Sequence, residues 1–291
     1  MINFYNKFKY ILELIVFKHS IFALPFLFVS LFTSSIIANG TSWFGFKILI
    51  LGVFGAVCAR NYAMSCNRLM DSSIDIHNPR TKFRPSVDGR VGKGFMLIFI
   101  LINAVLFVVI SYLLNTIAFY LSFFVLVLLA SYSIFKRFSF LAHIVLGICL
   151  GFSCIAGDII VSNTVNLYSI LLCLGVCFWT AGFDVLYAIM DMEFDRQFGL
   201  FSIPSVFGLK ASLFLSLFFH FLAIVFWLLF AFSAKLGLFM YIGIFVCAIL
   251  LILEQVIVRR NFNNIEKAFF NVNGFVSVVF LVFFLIDIWS L

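Results

Sequence analysis

The chain has 291 residues, 65% hydrophobic and 11% charged, with 43 phenylalanines, a net charge of +7 and a mean hydropathy of +1.21. A soluble domain is roughly half apolar and about a quarter charged, so this composition excludes a water-soluble globule and predicts an all-α, polytopic membrane protein. The positive charge does not point to nucleic acid, because the basic residues lie in short loops between apolar runs.

Taken in chain order, residues Met1 to Lys9 are polar and aromatic and no small-residue cleavage site follows, which argues against a cleaved signal peptide. Residues Tyr5–Val16 read as a short amphipathic helix at the membrane interface. A span needs about 20 apolar residues. Nine stretches qualify: Ser20–Ile37, Phe44–Ser65, Gly94–Leu114, Thr116–Ile134, Ala142–Val161, Leu167–Met190, Ala211–Ser233, Leu236–Val258 and Ala268–Trp289. They predict one membrane domain over residues 1–291, with no linker and no soluble appendage.

With the N-terminus in the cytoplasm, only Lys47 and Lys235 of the 19 basic residues fall on the far side, which supports both the count of nine and this orientation. The expected location is a bacterial inner membrane. The seven cysteines mostly lie inside apolar runs and read as small packed thiols. His143 and His220, in or beside spans, read as hydrogen-bonded to neighbouring backbone, and His77 as a loop residue. Asp158 and Asn163 fall on the far side, and Asp287 is expected at the outer interface. Carboxylates look nearly absent from the span interiors.

Seven of the twelve acidic residues fall in two short segments, Asp71, Asp75 and Asp88, then Asp184, Asp191, Glu193 and Asp195, both at expected cytoplasmic ends of spans. Carboxylates at a membrane boundary are costly unless solvated, paired or metal-bound. Steps of four place Asn67, Asp71 and Asp75 on one helical stripe, and steps of three, four and four do the same for Asp184, Tyr187, Asp191 and Asp195. Like charges so spaced repel, which calls for a cation. Oxygen donors without clustered His or Cys suit Mg2+, which binds through a few carboxylates plus phosphate oxygens. Arg80, Lys82, Arg84, Lys136 and Arg137 stand at the same expected face, and acid with base there suits a metal-bridged diphosphate.

The stripe Asn67-xxx-Asp71-xxx-Asp75, followed by Arg80-Thr81 and Arg84-Pro85, resembles the first signature of the UbiA family of intramembrane aromatic prenyltransferases. Asp184-xx-Tyr187-xxx-Asp191-xxx-Asp195 resembles the second. Tyr132-Ser133-xx-Lys136-Arg137 is similar to the family's basic loop, and His19 to Pro25 to the opening of its first span. The resemblance runs over essentially the whole chain. It implies nine helices around a central cavity open to lipid, with a polyprenyl diphosphate and an aromatic acid as partners.

On that resemblance, Asn67, Asp71, Asp75, Asp191 and Asp195 hold Mg2+ against the diphosphate, and Arg80, Arg84, Lys136 and Arg137 bind its oxygens. The allylic C–O bond ionises in a dry pocket. Tyr132 and Tyr187 face the carbocation. Arg137 serves the acceptor carboxylate or the diphosphate, with Lys18 and His19 beside it, and Asp184 activates or orients the acceptor. The implied acceptor is 4-hydroxybenzoate, in ubiquinone synthesis, with a naphthoate leading to menaquinone as the alternative.

Two positions depart from the family pattern. Phe201 stands where many members carry Lys, so that a diphosphate contact is either lost or supplied by Arg196 or Lys210, and Arg68 stands where Asp is frequent. Two other classes compete. A transporter would carry its carboxylates near the bilayer midplane. An alcohol phosphatidyltransferase would carry a compact Asp signature that is missing here.

Overall fold

The structure, a computed structural model, describes residues 10–15 and 22–290. Ten α-helices follow residue 22: α1 (Leu24–Asn39), α2 (Phe46–Asp75), α3 (Lys93–Leu114), α4 (Thr116–Phe135), α5 (Ala142–Ser162), α6 (Leu167–Ala188), α7 (Met192–Gln197), α8 (Ile203–Ser233), α9 (Leu238–Arg260) and α10 (Ile265–Ser290). No strand occurs among the described residues. Eight helices, counting α6 and α7 as one, are long and apolar enough to cross a membrane, and α1, with 16 residues, is apolar but shorter. The chain is an integral membrane protein. Each helix except α7 falls on an expected span, with shifted ends.

The largest shifts are informative. The second span was expected to end at Ser65, but α2 runs on to Asp75, so the first acidic stripe stands on the same rod as the apolar run. The seventh span was expected from Ala211, but α8 begins at Ile203 and is interrupted at Gly208, whose φ of 79° and ψ of 175° leave the helical region. A positive φ is cheap only for glycine.

Cα proximity divides the chain into two units. The first comprises the N-terminal residues to Ser20 with Ile50–Ile134. In it, Asn61 donates to Asn103 Oδ1 across α2 and α3 at 3.1 Å, and Asn67 donates to Ser133 Oγ across α2 and α4 at 3.2 Å. Residues 10–14 are helical, in agreement with part of the expected interfacial helix, of which residues 5–9 and Val16 lie outside the described residues. Leu14 packs on Val91 and Met96, Arg68 Nε donates to the Leu14 carbonyl, and Arg90 reaches Glu13 with both terminal nitrogens at 2.8 and 3.0 Å.

The second unit comprises Ile21–Leu49 and Phe135–Leu291. Its core is aromatic, with Phe26, Trp179, Trp227 and Phe280 fully buried and their ring centroids 4.9 to 6.2 Å apart. Tilted and stacked contacts of this kind add to area burial. All four tryptophans of the chain, Trp43, Trp179, Trp227 and Trp289, belong to this unit.

The structure gives the buried polar residues specific partners. Asp287, expected at the outer interface, lies at the turn between α8 and α9. It is 1% exposed and accepts the Gly237 and Met240 backbone N–H groups, satisfying orphan donors at the start of α9. Span interiors do hold carboxylate, because Glu254 is 1% exposed in α9 and accepts from Asn273 at 2.6 Å, while Trp179 Nε1 donates to Asn273 at 2.8 Å. His220 shares its polar contact with the side chain of Gln255, not with backbone. Asp158 is fully buried and accepts from Tyr168, Ser34 and Asn166, closing the turn between α5 and α6.

Candidate active site

The first acidic row lies at the end of α2. Asp71 and Asp75 are 2% and 4% exposed. Asn67 Nδ2 donates to Asp71 Oδ2 at 3.0 Å, so the amide and the carboxylate one turn on are joined directly. Arg84 Nη1 donates to Asp75 Oδ2 at 2.7 Å, and the Thr81 hydroxyl donates to the Asp75 carbonyl.

The chain returns on itself after Asp75 because consecutive turns follow. Asn78 N–H bonds to the Asp75 carbonyl, Thr81 and Lys82 to Asn78, Arg84 to Thr81, and Val87 to Arg84. Pro79 and Pro85 favour such turns and cannot continue a helix. This folding-back carries Arg84 to the row, whereas Arg80 is exposed, with its backbone N–H on Asn78 Oδ1. Tyr132 is half-buried on α4, next to Ser133, which accepts from Asn67.

The second acidic segment is not one continuous α-helix. α6 ends at Ala188, a 3-10 turn spans Ile189–Asp191, and α7 begins at Met192. Steps of three and four describe an α-helix, and a tighter turn inside changes where the later side chains project. Asp184 and Tyr187 therefore stand on α6, Asp191 closes the 3-10 turn and Asp195 stands on α7. The Tyr187 ring lies 4.5 Å from Phe269, centroid to centroid. Asp191, Asp195 and Tyr187 are all half-buried.

Asp195 Oδ2 accepts the Ser202 hydroxyl at 2.9 Å. Ser202 is the N-cap of α8, in a reciprocal capping box with Ser205. One residue earlier, Phe201 N–H donates to the Lys136 carbonyl at 2.7 Å, which fixes the basic loop to this turn. Lys136 is half-buried and acts electrostatically on Asp195, while Arg137 is exposed. Of the two residues expected to compensate for Phe201, Arg196 is engaged with the Ser205 carbonyl and Glu193, and Lys210 is exposed. Lys18 and His19 lie outside the described residues.

Sequence reasoning missed two participants. His143, 4% exposed, faces Asp184 with Nδ1 2.7 Å from Oδ2. Ser202 was read only as part of a departure from pattern. The signal for His143 was present in Gly147 and Gly151, four apart on α5, which allow α6 to approach closely.

Among the described residues, no group of three His, Cys, Asp or Glu is placed to hold a metal ion on its own. The donors at both segments are nonetheless all hard oxygens, the set that suits a divalent cation completed by phosphate oxygens.

Residues 24–284 match the UbiA prenyltransferase family. The chain belongs to the UbiA prenyltransferase family. As a UbiA prenyltransferase, it is an enzyme that transfers prenyl groups. It is 30% identical over 236 residues to the 4-hydroxybenzoate octaprenyltransferase of Pseudoalteromonas translucida, covering 80% of each chain. It superposes on the apo structure of a UbiA homolog from Aeropyrum pernix K1 with a TM-score of 0.84 and 31% identity, covering 93% of this chain and 98% of that one. The UbiA homolog from Archaeoglobus fulgidus, in a structure bound to GPP and Mg2+, shares the fold at a TM-score of 0.68 and 18% identity, over 96% of this chain and 99% of that one.

Proposed function

We propose that the protein transfers a polyprenyl group from polyprenyl diphosphate to the ring of 4-hydroxybenzoate, in respiratory quinone synthesis, with Mg2+ as cofactor. The observation that carries this reading is the first row: two nearly buried carboxylates four residues apart, aligned by an amide on one side and a guanidinium on the other. The relative named for 4-hydroxybenzoate and the homolog bound to GPP and Mg2+ support the substrates and the metal.

In this reading both units act as one domain over residues 1–291. Asn67, Asp71, Asp75, Asp191 and Asp195 would hold the metal and the diphosphate. Mg2+, when bound, neutralises charge building on the leaving diphosphate. Arg80, Arg84, Lys136 and Arg137 bind the remaining oxygens. As the allylic C–O bond breaks, its electron pair leaves with the diphosphate, and the faces of Tyr132 and Tyr187 stabilise the cation. The prenyl tail lies among apolar helices in contact with lipid, where water cannot trap the cation. The acceptor ring attacks beside its hydroxyl and loses the proton of that carbon. Asp184 orients the acceptor through that hydroxyl, and Arg137 serves either its carboxylate or the diphosphate. The positive-inside distribution of Lys and Arg favours a cytoplasmic N-terminus in a bacterial inner membrane, with both acidic segments on that side.

The test uses membranes containing the protein, a prenyl diphosphate and 4-hydroxybenzoate. Formation of prenylated acid together with released diphosphate is expected, abolished by EDTA and restored by Mg2+. Product formation indifferent to EDTA would sink the metal assignment, and diphosphate release without ring prenylation would sink the acceptor.

A further inference from the structure

Three neighbouring helix elements meet at His143. It occupies the first turn of α5 and is buried to 4% exposure, whereas the Asp184 side chain in front of it keeps 23% of its surface open. Its two nitrogens have different partners. Ile203 N–H, at the first residue of α8, donates to Nε2 at 3.3 Å, and Nδ1 stands 2.7 Å from Asp184 Oδ2. With Nε2 accepting from Ile203, Nδ1 is the nitrogen that donates to the carboxylate.

The backing of this pair is rigid. One and two turns along α5, a Cβ on Gly147 or Gly151 would collide with the carbonyl oxygens of Cys177 and Cys173 on α6. Cys177 Sγ also donates to the Ile144 carbonyl at 3.8 Å. Close backbone approach at small residues leaves the two helices little room to slide. The same α8 turn that donates to His143 presents Ser202 to Asp195. Asp184 and Asp195 are thus referenced to one turn, from two sides.

We infer that His143 is a positioning residue, holding the Asp184 carboxylate in register with Asp195 so that the aromatic acceptor is presented correctly to the prenyl donor. The inference rests on the assignment of Asp184 to the acceptor made above. A bland alternative is that the ring only satisfies Ile203 N–H and stabilises the start of α8.

Two substitutions separate these roles, since each keeps one end of the ring's chemistry. In His143→Asn the amide nitrogen replaces Nδ1 and still donates to Asp184, while the acceptor for Ile203 is lost. In His143→Gln the amide reaches the Nε2 position and serves Ile203, while Asp184 loses its donor. Steady-state kinetics would be read with 4-hydroxybenzoate and a prenyl diphosphate varied in turn, beside thermal melting in detergent. His143→Gln is expected to raise KM for 4-hydroxybenzoate about tenfold or more, the scale of a lost hydrogen bond to a charged group, with KM for the prenyl diphosphate unchanged. His143→Asn is expected to keep KM for 4-hydroxybenzoate within about threefold of wild type.

A rise in the Asn variant alone, equal rises in both, or no rise in either overturns the inference. Asp184→Asn distinguishes this from failure of the underlying reading. An unchanged acceptor KM in Asp184→Asn overturns the assignment of Asp184, whereas a raised KM there beside wild-type kinetics in His143→Gln overturns the role of His143 alone. If His143→Gln does not accumulate in membranes, His143→Asn carries the test: near-wild-type acceptor KM supports the role, and a rise matching Asp184→Asn overturns it.

Discussion

The two acidic segments serve one proposed diphosphate, yet they are built differently. The first stands on a continuous helix, its carboxylates at 2% and 4% exposure and engaged by Asn67 and Arg84. The second is spread over the end of α6, a 3-10 turn and a six-residue helix, is half-buried, and depends on a neighbouring turn through Ser202 and His143. Burial with fixed partners pre-organises a site at the expense of adjustability, whereas short elements joined by a tight turn can shift with small backbone changes. In the proposed reading the first row is therefore the fixed jaw and the second the adjustable one.

Substituting each jaw gives the largest expected effect. Asp71→Ala and Asp191→Ala should each lower kcat on the order of 10³-fold, as for loss of a group acting on transition-state charge. They should differ in stability. Asp191→Ala should melt near wild type, because its carboxylate is half-exposed, while Asp71→Ala should melt several degrees lower, because it leaves a buried site half-filled. Thermal unfolding beside single-turnover kinetics checks both, and equal melting temperatures would erase the distinction.

A smaller effect is expected at Arg84. Arg84→Ala removes the partner of a buried carboxylate, which costs about 3 kcal/mol or more where no substitute arrives, and should raise KM for the prenyl diphosphate about tenfold. Arg84→Lys should recover only part of this, since a point charge does not reproduce the planar donor set. The smallest effect belongs to the adjustable jaw. Ser202→Ala removes both a helix cap and a donor to Asp195, and should cost about 1 kcal/mol of stability with a few-fold rise in the same KM. A larger loss at Ser202 than at Arg84 would reverse the assignment of the jaws.

Much of this was legible in the sequence. Apolar runs of span length located every helix except α7, because the bilayer allows few alternatives to helical spans. The first row was legible because spacing of four on a true α-helix is a face. The same reasoning overreached at Asp191, since spacing cannot reveal that the helix tightens after Ala188. Arg84 was expected near the diphosphate, but its ion pair with Asp75 depends on a chain of turns that only the folded loop displays. His143 and Asp184 are 41 positions apart, and their meeting follows from two glycines that set the distance between α5 and α6. Asn273 and Trp179, the direct and indirect partners of Glu254, lie on other helices, so the apolar run around Glu254 does not reveal them.

The distribution of indoles has a practical consequence. Trp179 and Trp227 sit in the aromatic core, Trp43 and Trp289 are exposed, and all four belong to the unit that carries α5 to α10. Tryptophan emission consequently reports on this unit and not on the fixed jaw. An emission spectrum shifting to the red on heating would mark the opening of the phenylalanine-rich core around the adjustable one, and a dichroism trace that loses helix at a different temperature would time the two halves separately within a single unlabelled sample.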